Sequence, residues 1–359
     1  MKQTGRSIIC LVLIFVFLFG GCKASTKPEP KPAENFSQNE TSTVQPPAVK
    51  TVTNPLTGLN DLNPDVAGNR PVAIMINNIK TAQKVQEGLS KADIVYELYV
   101  EGGITRLLAV YKDPSVVKEL GSVRSARYSY VDLAAGHDAI YVHCGMDPTY
   151  CAPYMKRLGF DNFNLNSGST ADYGFRKSNG LSSEHTVYTT PEKLAKGFKT
   201  LGWRTEIKQR HRSNWQSFNS PDNPATLSPS TANKIVVPMS SSYVSGFNYD
   251  PATQMYLKTE NGAAHTDKLY NTQLSYKNVL VLFSSIVTQS DGKHVNTTLS
   301  NGNGYYFSQG TYIPVKWSKG GTYDALKLTD EAGQAIGYNA GSTWVCFANN
   351  NIRSSTVIQ

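Results

Sequence analysis

The sequence predicts an α+β protein: a ferredoxin-like (split βαβ) N-terminal domain followed by a small all-β sandwich or barrel domain. Two patterns carry this expectation. Residues 70–144 run strand, helix, strand, strand, helix, strand. Residues 253–347 hold only short β-rich runs separated by Gly-rich turns.

Arg70 to Asn78 is a short apolar run bounded by turn residues, which predicts a buried strand. A short helix is expected over Ala82 to Leu89. Ile94–Glu101 and Ile104–Tyr111 are rich in β-branched and aromatic residues, and Gly102-Gly103 between them predicts a two-residue hairpin loop. That register sets Tyr99 opposite Arg106 and gathers Glu97, Arg106 and Glu101 on one sheet face. A helix is predicted over Ala126 to Ala135, with Ser125 as N-cap and Gly136 as its stop. Asp138 to Cys144 follows as a strand. Asp147-Pro148 opens a further helix ending near Gly159, although Pro153 interrupts it. Asn164 to Ser183 is long and polar. Thr190-Pro191-Glu192 caps a helix carrying Leu194, Phe198 and Leu201 at core spacing, closed by Gly202.

Residues 208–234 read as a linker, with Pro221, Pro224 and Pro229 among Ser and Asn; Trp215 and Phe218 imply that it packs rather than swings. In the second half Asn261-Gly262 is a strong hairpin signal. Strands are expected over Asn278–Val287, Tyr305–Phe307, Thr311–Trp317, Ala325–Leu328 and Thr343–Phe347. His265 and Asp267, two apart, read as a solvated pair on one strand face.

The N-terminus has the three parts of a secretory signal. Lys2 and Arg6 precede an apolar run from Ile8 to Phe19, and Gly20-Gly21 leads to Cys22. The run is shorter than the roughly 20 residues a permanent spanning helix needs. A cysteine directly after small residues predicts cleavage before Cys22 and acylation of its thiol. Lys23 to Thr53, rich in Pro, Lys, Glu, Ser and Thr, has almost nothing to bury and serves as a tether. The expected organisation is signal 1–21, lipidated Cys22 with tether 22–53, α/β domain 54–207, linker 208–234, β domain 235–350 and tail 351–359.

The formal charge of +8 falls to +6 once Lys2 and Arg6 leave with the signal. That surplus is mild and has no Lys/Arg run, so nucleic acid is not an expected partner. Of five cysteines, Cys10 leaves with the signal and Cys22 carries lipid. Cys144 and Cys151 could pair outside the cell or stay free. Cys346 reads as a buried small hydrophobe. His143, Cys144 and Cys151 lack a fourth ligand, so no metal is expected, and no cofactor motif is present. Ser115-Val116-Val117-Lys118 fits the SxxK pattern but lacks a KTG element.

The sharpest functional inference is an anion pocket. Arg124, Ser125 and Arg127 flank the predicted helix start, where free N–H groups and the dipole favour phosphate or carboxylate. His143 ends a neighbouring strand, and Arg176 and His185 lie in the long polar segment. Arg124, Ser125, Arg127 and Arg176 are therefore ligand-binding candidates, with His143 and His185 as candidate acids or bases. The bland reading pairs the arginines with local acids such as Asp132 and packs His143 in the core.

Several stretches together resemble the YerB-like lipoprotein family: Asn54-Pro55-Leu56-Thr57-Gly58-Leu59, Ala92-Asp93-Ile94-Val95-Tyr96-Glu97, Glu101-Gly102-Gly103-Ile104-Thr105-Arg106, Gly121-Ser122-Val123-Arg124-Ser125-Ala126-Arg127, and Asn261-Gly262 with His265 and Asp267. Glu184 before His185 and the Cys144 and Cys151 pair depart from it. The resemblance implies lipidation and two domains of unknown function, and brings no activity or catalytic residue. The resulting expectation is a lipid-anchored extracytoplasmic protein at the cell membrane, a non-enzymatic module binding an anionic envelope polymer or an envelope protein. The alternative is an envelope hydrolase or transferase acting on glycan or phosphorylated material through Arg and His.

Overall fold

Ten strands from both halves of the chain lie side by side in one mixed sheet. The computed structural model describes residues 50–213 and 215–359; the expected signal, Cys22 and the tether up to residue 49 lie outside the described residues. The first half supplies β1 (Val72–Asn77), β2 (Ile94–Tyr99), β3 (Thr105–Tyr111), β4 (Ile140–His143) and β5 (Asn162–Asn164). After these come β6 (Lys234–Pro238), β7 (Val244–Asp250) and β8 (Met255–Glu260), which build a second sheet. Then follow β9 (Asn278–Ser284), β10 (Ile286–Thr288), β11 (Val295–Thr297), β12 (Asn301–Ser308), β13 (Thr311–Ser318), β14 (Lys327–Thr329) and β15 (Thr343–Asn349). The spatial order of the long sheet is β14-β13-β12-β9-β15-β2-β3-β1-β4-β5.

The strands at the centre of this sheet, β1, β9 and β15, are apolar runs buried on both faces, as strands covered from both sides require. β15 lies between β2 and β9 and is parallel to each. The final long strand thus closes the sheet between the two halves, and residues 50–359 pack as one unit. The β-rich second half forms no closed barrel: five of its strands extend the sheet of the first half, and β6 to β8 cover one face of it.

That face carries one core, in which Ile235, Val237, Phe247 and Tyr256 meet Val95, Leu107, Val281 and Trp344. The other face is covered by α2 (Tyr128–Gly136) and α3 (Cys151–Leu158), with α1 being a single turn at Lys80–Gln83. Tyr130, Val131 and Met155 there meet Met75, Leu108 and Phe347. α4 (Pro191–Thr200) lies on the first face through Leu194 and Phe198; Thr190 caps it by accepting from Lys193 N.

The ferredoxin-like expectation is met in strand order and fails in direction. The order β2-β3-β1-β4 is that of a split βαβ unit, but β4 runs parallel to β1 where that pattern sets it antiparallel. The cause is an extended strap, residues 120–126, between β3 and α2. It carries the chain back across the sheet, so α2 and β4 start from the opposite ends.

The hairpin register also differs. Val100 N donates to Ile104 O, and Glu101–Gly103 form a tight turn with φ of 76° at Gly102 and 74° at Gly103. Tyr99 therefore faces Thr105, and Leu98 faces Arg106. A slip of one residue turns a side chain to the other face, which separates Glu97 from Arg106.

Candidate functional site

Where β1 and β4 diverge, the strap wedges between their C-terminal ends. The two strands pair only over Val72–Ile74 and Ile140–Val142. Beyond that, Arg124 N donates to Met75 O at 3.0 Å, Cys144 N to Arg124 O at 3.0 Å and Ala126 N to Gly145 O at 3.0 Å. Crevices at the carboxyl ends of parallel strands are where open α/β sheets place ligands. Ser125 belongs to this strap and does not cap α2. The N-cap is Arg127, which makes no side-chain capping bond; strap pairing through Ala126 delays the helix by two residues.

Three arginines converge here. Arg127 forks onto Glu101, its Nε lying 2.8 Å and 2.9 Å from the two carboxylate oxygens, and Nη2 joins the same carboxylate. Arg106, from the start of β3, donates Nη1 to Ser125 O at 2.6 Å and holds Nη2 3.6 Å from Glu101. Arg124 donates Nη1 to Glu184 O at 3.0 Å. Among the described residues Glu101 is the one carboxylate that Arg106 and Arg127 reach, and Arg124 pairs with none. The Nε–H groups of Arg106 and Arg124 are both buried without an acceptor. Burial would raise the Glu101 carboxyl, but the bonds and charge of Arg127, then the charge of Arg106, hold it at about 2. Burial, then the charge of Arg127, pushes Arg106 down to about 9. Buried charge without a partner is costly, and at this end of the sheet guanidinium donors outnumber carboxylate acceptors.

The histidines separate. His143 is fully buried, with Nδ1 2.8 Å from Gly145 O and Nε2 3.1 Å from Asn162 Oδ1. Burial lowers its pKa, and both ring nitrogens are taken by neighbouring protein groups, so the acid–base expectation for it is withdrawn. His185 sits in a 3₁₀ turn beside Arg124. Asn77 Nδ2 donates to its Nδ1 at 2.7 Å, and its Nε2 is 3.3 Å from Glu184 Oε1. Burial, then the charge of Arg124, depresses its pKa and so favours the neutral imidazole. Arg176 braces that turn by donating Nη1 to Ser183 O and Thr186 Oγ1. Arg124, Arg176 and His185 thus gather on one side of the strap, with Arg106 and Arg127 on the other. Asp132, the acid expected to pair locally, instead accepts from Tyr154.

Cys144 and Cys151 are free thiols. Cys144 packs on the core beneath the second sheet, while Cys151 opens α3 in the opposite core. The sheet between them excludes the disulfide. Burial pushes the Cys151 thiol up to about 12. Ser115 of the SxxK pattern donates to Asp113 in a turn and holds no acyl-transfer partner.

Two clusters escaped the sequence. Beside the strap, Lys177 Nζ lies 2.7 Å from Glu87 and also pairs with Glu119; burial, then Glu119, raises Glu87 to about 7. Positions 87, 119 and 177 carry no local signal of their meeting. Between the sheets, Glu97 accepts from Thr105 Oγ1 at 2.9 Å, Trp344 Nε1 at 3.1 Å and Ser245 Oγ. Lys258 donates to Glu260 at 3.0 Å in the same enclosed layer. His265 and Asp267 are buried rather than solvated. His265 meets Gln86, and Asp267 accepts from Ser90 N at 2.9 Å and Ser90 Oγ at 2.8 Å.

Comparison with known proteins gives one family. Residues 56–204 match the N-terminal domain, and residues 235–345 the C-terminal domain, of a protein of unknown function (DUF3048); the second match ends inside β15. The chain is 30% identical over 312 residues to "Putative lipoprotein YerB" of Bacillus subtilis (strain 168), covering 84% of this chain and 87% of that protein. The crystal structure of the YerB protein from Bacillus subtilis matches with a TM-score of 0.72 at 26% identity, over 86% of this chain and 99% of that one.

Proposed function

We propose, from the premise that this chain belongs to the DUF3048 family of YerB-like proteins, that it is a lipid-anchored extracytoplasmic module binding an anionic component of the cell envelope. The anchor reading is supported by the signal-like N-terminus ending at Cys22 and by the printed name of the Bacillus relative. No helix among the described residues is long and apolar enough to cross a membrane. Mass spectrometry of the N-terminal fragment tests it: an acylated Cys22 is expected, and an unmodified Met1 would refute it.

The binding reading rests on a single observation. Two guanidinium groups, Arg106 and Arg127, share one carboxylate while Arg124 nearby pairs with none, and two buried Nε–H donors have no acceptor among the described residues. Oxyanions satisfy such forks with charge-assisted bonds. Inorganic phosphate is the simplest probe, added to the full chain in mild detergent while thermal unfolding is followed. At 100-fold excess over Kd a bound anion stabilises by about 2.7 kcal/mol, and Arg124→Ala loses most of that shift. A wild type that phosphate leaves unmoved overturns the proposal.

The enzymatic alternative, hydrolysis or transfer on glycan or phosphorylated material, now rests on His185 alone. Its place beside Arg124 favours it, and its closed Nδ1 contact with Asn77 leaves one nitrogen for proton transfer. If His185→Gln binds phosphate as the wild type does and turnover of envelope material is unchanged, this reading ends.

A further inference from the structure

Arg127 also lines a second feature. Between the α2–α3 corner and the β10–β11 hairpin lies a polar cleft of about 310 Å³, whose walls include Arg127, Tyr128, Tyr150, Arg157, His294 and Asn296. One wall is a tilted aromatic pair: the Tyr128 and Tyr154 ring centroids are 4.2 Å apart at 41°, and the Arg157 guanidinium lies 5.0 Å from the Tyr154 centroid. The other wall pairs Tyr150 with His294, ring centroids 5.7 Å apart, and the Tyr150 hydroxyl is 3.1 Å from Ser290 Oγ. His294 is itself oriented, its Nδ1 2.5 Å from Asp291 Oδ2 and its Nε2 3.4 Å from Asp147. Asn296 is held by Ser129 Oγ at 3.0 Å.

This lining selects a class of ligand. The volume is at the lower end of the roughly 300–1,000 Å³ of small-molecule sites, so a short segment fits. Tyrosine rings give flat, amphipathic contact, suited to the C–H face of a pyranose ring. The Arg157 guanidinium and the Asn296 amide N–H groups, whose Oδ1 alone is taken by Ser129, match the ring's hydroxyls, while His294, held at both nitrogens by Asp291 and Asp147, supplies a fixed ring face. Two arginines line the walls against one carboxylate, Asp147, whose oxygens are already taken by the backbone N–H groups of Thr149, Tyr150 and Cys151, so the lining favours an acidic substituent. Arg127 makes the cleft continuous with the arginine cluster, because Arg127 and Arg106 share Glu101.

We infer that this cleft seats a sugar unit of an acidic glycan whose charged substituent reaches the Arg127 end. The inference rests on the anion-binding reading above and names its partner class. Both halves of the chain build the seat, since Gln289, His294 and Asn296 come from the β10–β11 hairpin and Tyr128, Tyr150 and Arg157 from the helices.

Isothermal titration on the full chain tests it with three probes: a hexasaccharide of alternating glucuronate and N-acetylglucosamine, a neutral N-acetylglucosamine hexamer, and inorganic phosphate. The acidic hexasaccharide is expected to bind about ten-fold tighter than the neutral one. Tyr150→Ala and Arg157→Met should each weaken it about ten-fold, as loss of a binding hot spot does, while leaving phosphate binding unchanged. Both residues lie at the surface of the helix corner, and unaltered melting of the variants checks the fold. Phosphate binding with no hexasaccharide binding, or hexasaccharide binding indifferent to both substitutions, overturns the glycan assignment and leaves the anion site standing. No phosphate binding in the wild type overturns the anion site itself.

Discussion

The β2–β3 hairpin carries charged residues to two very different surroundings. On one face Glu97 points between the sheets, where Thr105, Ser245 and Trp344 satisfy it and Lys258 and Glu260 lie in the same enclosed layer. At the hairpin's turn and on the opposite face, Glu101 and Arg106 meet Arg127 at the end of the sheet, with Arg124 across the strap, and donors outnumber acceptors. Both regions bury charge, so burial alone does not distinguish structure from function. The sign of the imbalance does: the inner network sets Glu97 and Glu260 around one cation, Lys258, and leaves Glu260 Oε1 without a donor, whereas the outer cluster is short of negative charge.

The contrast breaks most visibly in stability. Lys258→Met leaves Glu260 and Glu97 buried without their cation, and removing one partner of a buried pair costs about 3–5 kcal/mol. Arg124→Ala removes one bond to Glu184 O and relieves surplus positive charge, so its cost should stay within about 1 kcal/mol. Urea unfolding of the two variants measures both. If they lose equal stability, the distinction between the regions falls.

A smaller effect appears in the pH dependence, where the two carboxylates have opposite signs. Glu260 is raised to about 7, by burial above all. The folded chain keeps a proton the unfolded chain releases, so its contribution to stability falls by up to about 1.4 kcal/mol per unit as pH rises from about 4.5 to 7. His265, held neutral by burial and then by Lys258, runs the other way; subtracting Glu260→Gln from wild type isolates Glu260. Glu101 is lowered to about 2, so it stabilises above about 4.5 and loses that contribution as pH falls towards 2. Glu101→Gln should erase the acid-side loss. Parallel pH profiles for the two variants would show that the regions are electrostatically alike.

The smallest expected effect concerns the turn that keeps them apart. Gly103 has φ of 74° with open space around its Cβ position, so Gly103→Ala carries conformational strain alone, about 1–2 kcal/mol. Chemical denaturation should register that loss; none would show that the turn adopts another conformation at little cost.

Much of this arrangement is legible locally. The apolar run at Val72–Ile76, the Thr190-Pro191-Glu192 start of α4 and the Asn261-Gly262 hairpin appear where the residues place them. Arg124, Arg127 and Arg176 were marked by their position near a helix start and in a long polar segment. Arg106 was visible but assigned to the wrong face, because two glycines and an extra turn residue shift the register by one. His143 and Cys144, neighbours in sequence, part company because successive strand residues face opposite sides.

What the residues determined by themselves was the set of elements, since apolar periodicity, caps and turn residues act over a few positions. The strap between β1 and β4, the insertion of β15 between β2 and β9, and the meeting of Glu101 with Arg106 and Arg127 were decided only by the tertiary structure. Strand pairing joins residues far apart in the chain through backbone groups that every residue shares. Which edges meet therefore follows from the packing of the whole sheet, and no local pattern specifies it.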